Sequence, residues 1–414
     1  MKDEILAHLN DPRQLERLYQ ADKRTFKRAF NALYPELGNQ VLAGYWKERL
    51  SFAGQDISWG SGKDLLFVLL ASLLAGGIAK LPMLLALDEN VFYPRNIGFI
   101  LFPMLTAFFA WKNNLDKGKT ALVVGAILLG AVYINSLPLA ENSDTLILAC
   151  LHLLLFLWSI LGFAFVGEAR NNVDKRLDFL RYNGDLVVMT ALILLAGGIM
   201  TGLTIGLFSL IGFRIEKFYV DYVVTFGLPA APIAATFLTQ TNPQLVGRVS
   251  PVIAKIFSPL VLVMLIIYLA AMVYSGKDPY NDREFLLLFN GLLIGVMAII
   301  FFSIAETSQA TKSRAELWVL LLLSAVTIVV NSIALSAIVF RIAEWGITSN
   351  RAAVLGGNVL MLLHLLLVTA QLFRVLFRQA DTAYVGKAIA TFLPVYCFWT
   401  SIVTFLFPLL FSFK

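Results

Sequence analysis

Between Asp64 and Leu87 the chain reads DLLFVLLASLLAGGIAKLPMLLAL, and after the opening aspartate its only ionised side chain is Lys80. A helix of this length spans a hydrocarbon core of about 30 Å. In water such a segment would need burial on every side. Ten further apolar runs follow, so the sequence predicts spans at about Asp64 to Leu87, Asn96 to Ala110, Thr120 to Leu139, Asp144 to Val166, Asp185 to Phe213, Tyr219 to Leu238, Ile256 to Tyr274, Phe285 to Ala305, Leu317 to Phe340, Ala352 to Phe373 and Ala388 to Phe411. Composition agrees, with 58% of the 414 residues hydrophobic and 14% charged, against about a quarter charged in ordinary soluble domains. The predicted fold class is therefore all-α: a polytopic transmembrane bundle of about 11 spans.

Orientation follows from Lys and Arg, which gather in cytoplasmic loops. They concentrate on the side of the N-terminus, even with the N-terminal segment left out. The strongest groups are Lys112, Lys117 and Lys119, and Arg170, Lys175, Arg176 and Arg181. This predicts a cytoplasmic N-terminus and an external C-terminus in a bacterial cytoplasmic membrane. The first residues have no apolar core before a small-residue cleavage site, so the first span is expected to direct insertion. The net charge of +6 is spread over many loops, which weighs against a nucleic-acid partner. Cys150 and Cys397 lie in apolar runs and read as buried thiols rather than a disulfide.

Residues 1–62 form a separate cytoplasmic segment in this reading, ahead of a transmembrane domain over 63–414. Asp11-Pro12 marks a helix start. Leu15, Leu18, Tyr19, Phe26, Phe30, Leu33 and Leu37 recur at helical spacing, opposite Lys23, Arg24, Lys27 and Arg28. After a break at Pro35, Val41, Leu42, Tyr45, Trp46 and Leu50 suggest a second helix. The pair reads as a helical hairpin, packed on the bundle or offered to anionic lipid or to a cytoplasmic protein.

The chain also resembles itself. Asp64–Ile78 matches Asp185–Ile199, ending in Ala-Gly-Gly-Ile in both; Phe92, Tyr93 and Pro103 match Phe218, Tyr219 and Pro229; Glu168 matches Glu306. Phe213-Arg214-Ile215-Glu216 matches Phe340-Arg341-Ile342-Ala343-Glu344. Chance likeness between Leu-rich helices is the bland explanation. The ordered match across helices and loops favours parallel units at about 63–184, 185–315 and 316–414, in a 4+4+3 arrangement.

Candidate solute or headgroup contacts are Lys80, Arg95, Arg341, Glu344 and Arg351. An ionised side chain inside a span is costly and often functional, although Lys80 lies near enough to the outer end to extend to the headgroups. In Arg341–Arg351, Gly346 suits a helix end, Thr348 suits a helix cap, and Glu344 is expected to pair with either arginine. With Tyr93–Asn96 and Glu216–Asp221 this makes three charged, aromatic loops on one side. Gly76-Gly77 and Gly197-Gly198 permit close helix approach or local unwinding, with packing the favoured reading. Pro103, Pro229 and Pro232 can kink helices and open a cavity. His152 and His364 occur singly, so each is expected to bond a neighbouring helix rather than a metal. No cofactor, metal or catalytic residue is called, because the sequence has no nucleophile elbow, phosphate loop, zinc motif or carboxylate pair.

From Ile256 to Arg378 the chain resembles bacterial membrane proteins catalogued as domain of unknown function 4153. That family's loop of Arg-Ile, an aromatic, Gly, an apolar residue, Thr, two variable residues and Arg is matched by Arg341, Ile342, Trp345, Gly346, Ile347, Thr348 and Arg351. The resemblance implies a multi-pass bacterial membrane protein and brings no substrate with it. Three functions stand open at this point: transport of a small or lipidic solute through the repeats, a scaffold or sensor working through the basic N-terminal segment and, less favoured, a membrane enzyme acting on lipid-linked substrates.

Overall fold

The computed structural model describes residues 2–9, 11–37, 41–52, 60–138, 143–167, 172–210, 213–245, 249–275, 280, 283–307 and 313–413. Glu168, Arg170 and Pro279 lie outside these, as do the side chains of Lys23, Arg24 and Arg28. The described residues contain helices and no strand. The chain divides into two units, Met1–Ser58 and Trp59–Lys414.

The first unit holds four helices rather than a two-helix hairpin: α1 Lys2–Ala7, α2 Pro12–Ala21, α3 Lys23–Leu37 and α4 Val41–Phe52. Asp11 caps α2 by accepting from the Arg13 and Gln14 amides. The helix expected to run on through residue 22 stops there, because Asp22 is extended and its carboxylate accepts from the Thr25 amide. Pro35 sits inside α3 and does not end it. Leu15, Phe26, Phe30 and Leu50 are fully buried, with Tyr19 and Trp46 in edge contact at 5.7 Å. The apolar stripe read from the sequence is thus consumed by the unit's own core.

In the second unit, eleven helices among the described residues are long and apolar enough to cross a membrane. They are built from α5 Gly62–Ala79 with the short α6 Leu81–Leu85, then α7 Glu89–Lys112, α8 Lys117–Ser136, α9 Asp144–Val166 and α10 Val173–Leu210. The sixth combines α11 Glu216–Phe218, a π-helical turn Tyr219–Val224 and α12 Thr225–Thr241. The remainder are α13 Val249–Ser275, α14 Arg283–Thr307, α15 Arg314–Trp345, α16 Ser349–Arg378 and α17 Ala383–Phe405, followed by the short α18 Phe407–Leu410. A bilayer leaves no water for loose amides, and several helix starts carry side-chain caps. Ser61, Asp116, Ser143, Ser313 and Thr348 each accept from the amide three residues on.

Two apolar cores meet at the first half of α10. Phe179 and Tyr182 belong to the core of α5, α7, α9 and α12, whereas Leu177 and Leu180 belong to that of α13 to α17. Arg181 fastens the same turn, donating to Ala305 O at 2.6 Å and to Asp178 at 2.9 Å, with Glu306 3.7 Å away. From residue 191 to 210, by contrast, α10 has no buried residue.

Candidate functional site

The predicted first span breaks at the residue that made it unusual. Instead of continuing to Leu87, α5 closes at Lys80, whose amide bonds back to Gly76 O and Gly77 O, and α6 starts at Leu81 with Pro82 in its first turn. Proline has no amide to continue the hydrogen-bond ladder, so a break here is inexpensive. Opposite the break stands the π-helical turn Tyr219–Val224, which widens the sixth span. Helix α5 presses against α12 where Gly76 leaves room for the Phe226 ring, whose atoms a Cβ there would overlap. On α7, Tyr93 donates its hydroxyl to Ala79 O at 3.0 Å.

This arrangement encloses the Lys80 ammonium. The residue is 6% exposed, and Nζ lies over the Tyr222 ring, 2.9 Å from its centroid. No hydrogen-bond acceptor reaches Nζ among the described residues, and no carboxylate pairs with it. A desolvated cation over an aromatic face gains about 2 kcal/mol. Removing an ammonium from water costs several kcal/mol even after relaxation. The ring therefore offsets only part of the cost, and three N–H donors stay unsatisfied. The Lys80 amine is not offered to solvent; it turns inward under Tyr222.

The other four candidates do not join it. Arg95 is buried and donates to Ile134 O, Leu137 O and Pro138 O at 3.0 to 3.2 Å, closing the carboxyl end of α8. Asn96 and Asn135 exchange amide hydrogen bonds beside it. Arg95 is thus a helix clamp. Arg341 donates to Tyr280 O, and Arg351 to Trp345 O and Gly346 O. Both guanidinium groups lie over the Trp345 ring, at 5.4 and 5.7 Å. Gly346, at φ +76°, ends α15 where an L side chain would be strained. The pair expected of Glu344 is absent among the described residues; the arginines turn to backbone carbonyls and the indole instead. This turn shares no described contact with Lys80.

Of the smaller expectations, His364 does reach a neighbouring helix, with Nδ1 3.1 Å from the Tyr396 hydroxyl, while His152 bonds Leu148 O in its own helix. Pro103 lines an apolar groove of about 500 Å³ between α7 and α8. Cys150 and Cys397 are free thiols. The sequence reading missed Tyr222 and Phe226. Its one usable signal was the charged aromatic stretch Glu216–Asp221, which ends one residue short of the tyrosine. Asn331 and Asn358, buried and joined at 3.1 Å between α15 and α16, were also missed, since an amide inside an apolar run barely lowers its mean hydropathy.

Comparison with known protein families, with curated proteins and with solved structures finds no match.

Proposed function

We propose that this protein is a multi-pass protein of a bacterial cytoplasmic membrane with a transport-related role, and that it holds a solute with an anionic group, small or lipidic, at Lys80. The buried, unsatisfied ammonium carries this reading. An anion would supply the acceptors that Tyr222 does not. Two interrupted helices facing each other around a charge is also the way transporters build solute sites. The asymmetry of Lys and Arg supports a cytoplasmic N-terminus and an external C-terminus. The ordered sequence matches support parallel units over 63–184, 185–315 and 316–414, and the Arg341–Arg351 turn supports kinship with domain of unknown function 4153.

Two measurements test the site. In detergent without added ligand, Lys80→Met is expected to raise stability by about 2 kcal/mol, as replacing buried charge by apolar volume does elsewhere. In liposomes, wild type and Lys80→Arg should show flux or a ligand-dependent thermal shift with some member of a panel of phosphate and carboxylate solutes, and Lys80→Met should show neither. Absence of both signals in the wild type across the panel overturns the proposal.

A further inference from the structure

The geometry points to the anionic headgroup of a membrane lipid as the ligand of Lys80, entering sideways from the bilayer with Tyr222 as a movable cover. This rests on the anion site proposed above and adds the source of the anion.

Depth is the first argument. Lys80 lies eighteen residues along from Gly62, about 27 Å at 1.5 Å per residue, close to the thickness of a hydrocarbon core. Its amine therefore stands near headgroup level at the end of α5 remote from Gly62. The second argument is what surrounds it. Met83, Leu84 and Leu85 on α6 are exposed, as are Phe218, Val220 and Val223 beside Tyr222. A dissolved anion would have to cross this apolar surface to reach Nζ. A membrane lipid would reach it along the bilayer, with acyl chains suited to these side chains and a phosphate at the right depth.

The third argument is the cover. Tyr222 is 47% exposed, so one side of it faces outward while the ammonium lies under its ring. It belongs to the π-helical turn, where backbone hydrogen bonding departs from the α pattern, and its ring stacks on the still more exposed Phe218, at 5.0 Å. Rotation of this ring uncovers a cation without breaking a hydrogen bond of the tyrosine among the described residues. A phosphate oxygen arriving there exchanges a cation–π contact for a charge-assisted hydrogen bond.

The test uses the full chain in detergent, with native mass spectrometry to count retained lipids. Wild type is expected to retain one phosphatidylglycerol at about a tenfold lower lipid concentration than one phosphatidylcholine. Lys80→Met and Lys80→Gln should lose that preference, Lys80→Arg should keep it, and Tyr222→Ala should exchange its lipid faster. Thermal melting of each variant establishes that it is folded. Should a folded Lys80→Met or Lys80→Gln keep the preference, the lipid is held elsewhere and the inference is wrong. A parallel arm replaces lipid with inorganic phosphate. Lys80-dependent stabilisation by phosphate without any lipid preference removes the lipid source and leaves the anion site standing. Failure of both arms removes the two together.

Discussion

Asp64–Ile78 and Asp185–Ile199 have closely similar sequences and opposite surroundings. In α5 one glycine of the pair faces a helix: Gly76 receives the Phe226 ring of α12, while Gly77 is open. In α10 nothing stands within 4 Å of a Cβ built on Gly197 or Gly198. The two helices also end differently. Lys80 closes α5, whereas its counterpart Thr201 turns its hydroxyl back to Gly197 O at 2.8 Å and the helix runs on to Leu210. What a Gly-Gly pair does is therefore decided by the helix that comes to meet it. The largest test of this contrast is a pair of substitutions. Gly76→Leu drives a side chain into Phe226 and should cost about 3 kcal/mol, at the upper end of overpacking effects. Gly197→Leu should leave the thermal midpoint unchanged or slightly raised, since it relieves a helix of a glycine without meeting an atom. Equal losses at the two sites would break the comparison.

A second contrast concerns the aspartates that open the two stretches. Asp64 stands at the start of α5, where its carboxylate accepts from the Ser61 amide and hydroxyl and pairs with Lys112 at 2.7 Å. Asp185 lies twelve residues inside α10, more than three turns from its start. The amides around it are already bonded within the helix, so it does not cap the start of α10. Asp64→Ala should cost about 2 kcal/mol, one part for the cap and one for the stranded lysine. The double variant with Lys112→Met separates them, because the charge term disappears when both partners are gone. If the double variant is no more stable than Asp64→Ala, Lys112 contributes through its contacts with Trp111 and Phe108 instead.

These contrasts also explain which features the sequence made legible. Long uncharged runs reveal spans because lipid demands them, and eleven were read. The boundaries failed where one residue type carries two meanings. Pro94 and Arg95 suggested a loop before a span beginning at Asn96. The helix begins at Glu89, with Pro94 accommodated inside it, and Arg95 is carried inward to clamp α8. Similarly, Asp174, Lys175, Arg176, Asp178 and Arg181 made the stretch before Asp185 look like a loop. It is the opening of α10, whose apolar side chains Leu177, Phe179, Leu180 and Tyr182 alternate between two cores. Hydropathy averages such a turn to polar. Lys80 was visible as a charge out of place, but Tyr222 was not visible at all, because a π-helical turn has no composition of its own and the pairing joins residues 142 positions apart.

The smallest predicted effect is the most exacting for the comparison. Thr201 corresponds to Lys80, and its hydroxyl is satisfied within α10 at an exposed face. Thr201→Val removes one local hydrogen bond and replaces the hydroxyl with a methyl of nearly the same size. Since the carbonyl of Gly197 keeps its role in the helix, the change should stay within about 0.5 kcal/mol in a thermal melt. It should equally leave lipid retention untouched, because no ammonium is involved. A large loss would mean that the second half of α10 is held by something that reads its hydroxyl, and the open surroundings of Gly197 would need to be reconsidered with it. A null result, beside a clear response to Lys80→Met, would show that two matching positions in similar helices have separate chemistry: one carries a buried charge, the other only continues a helix.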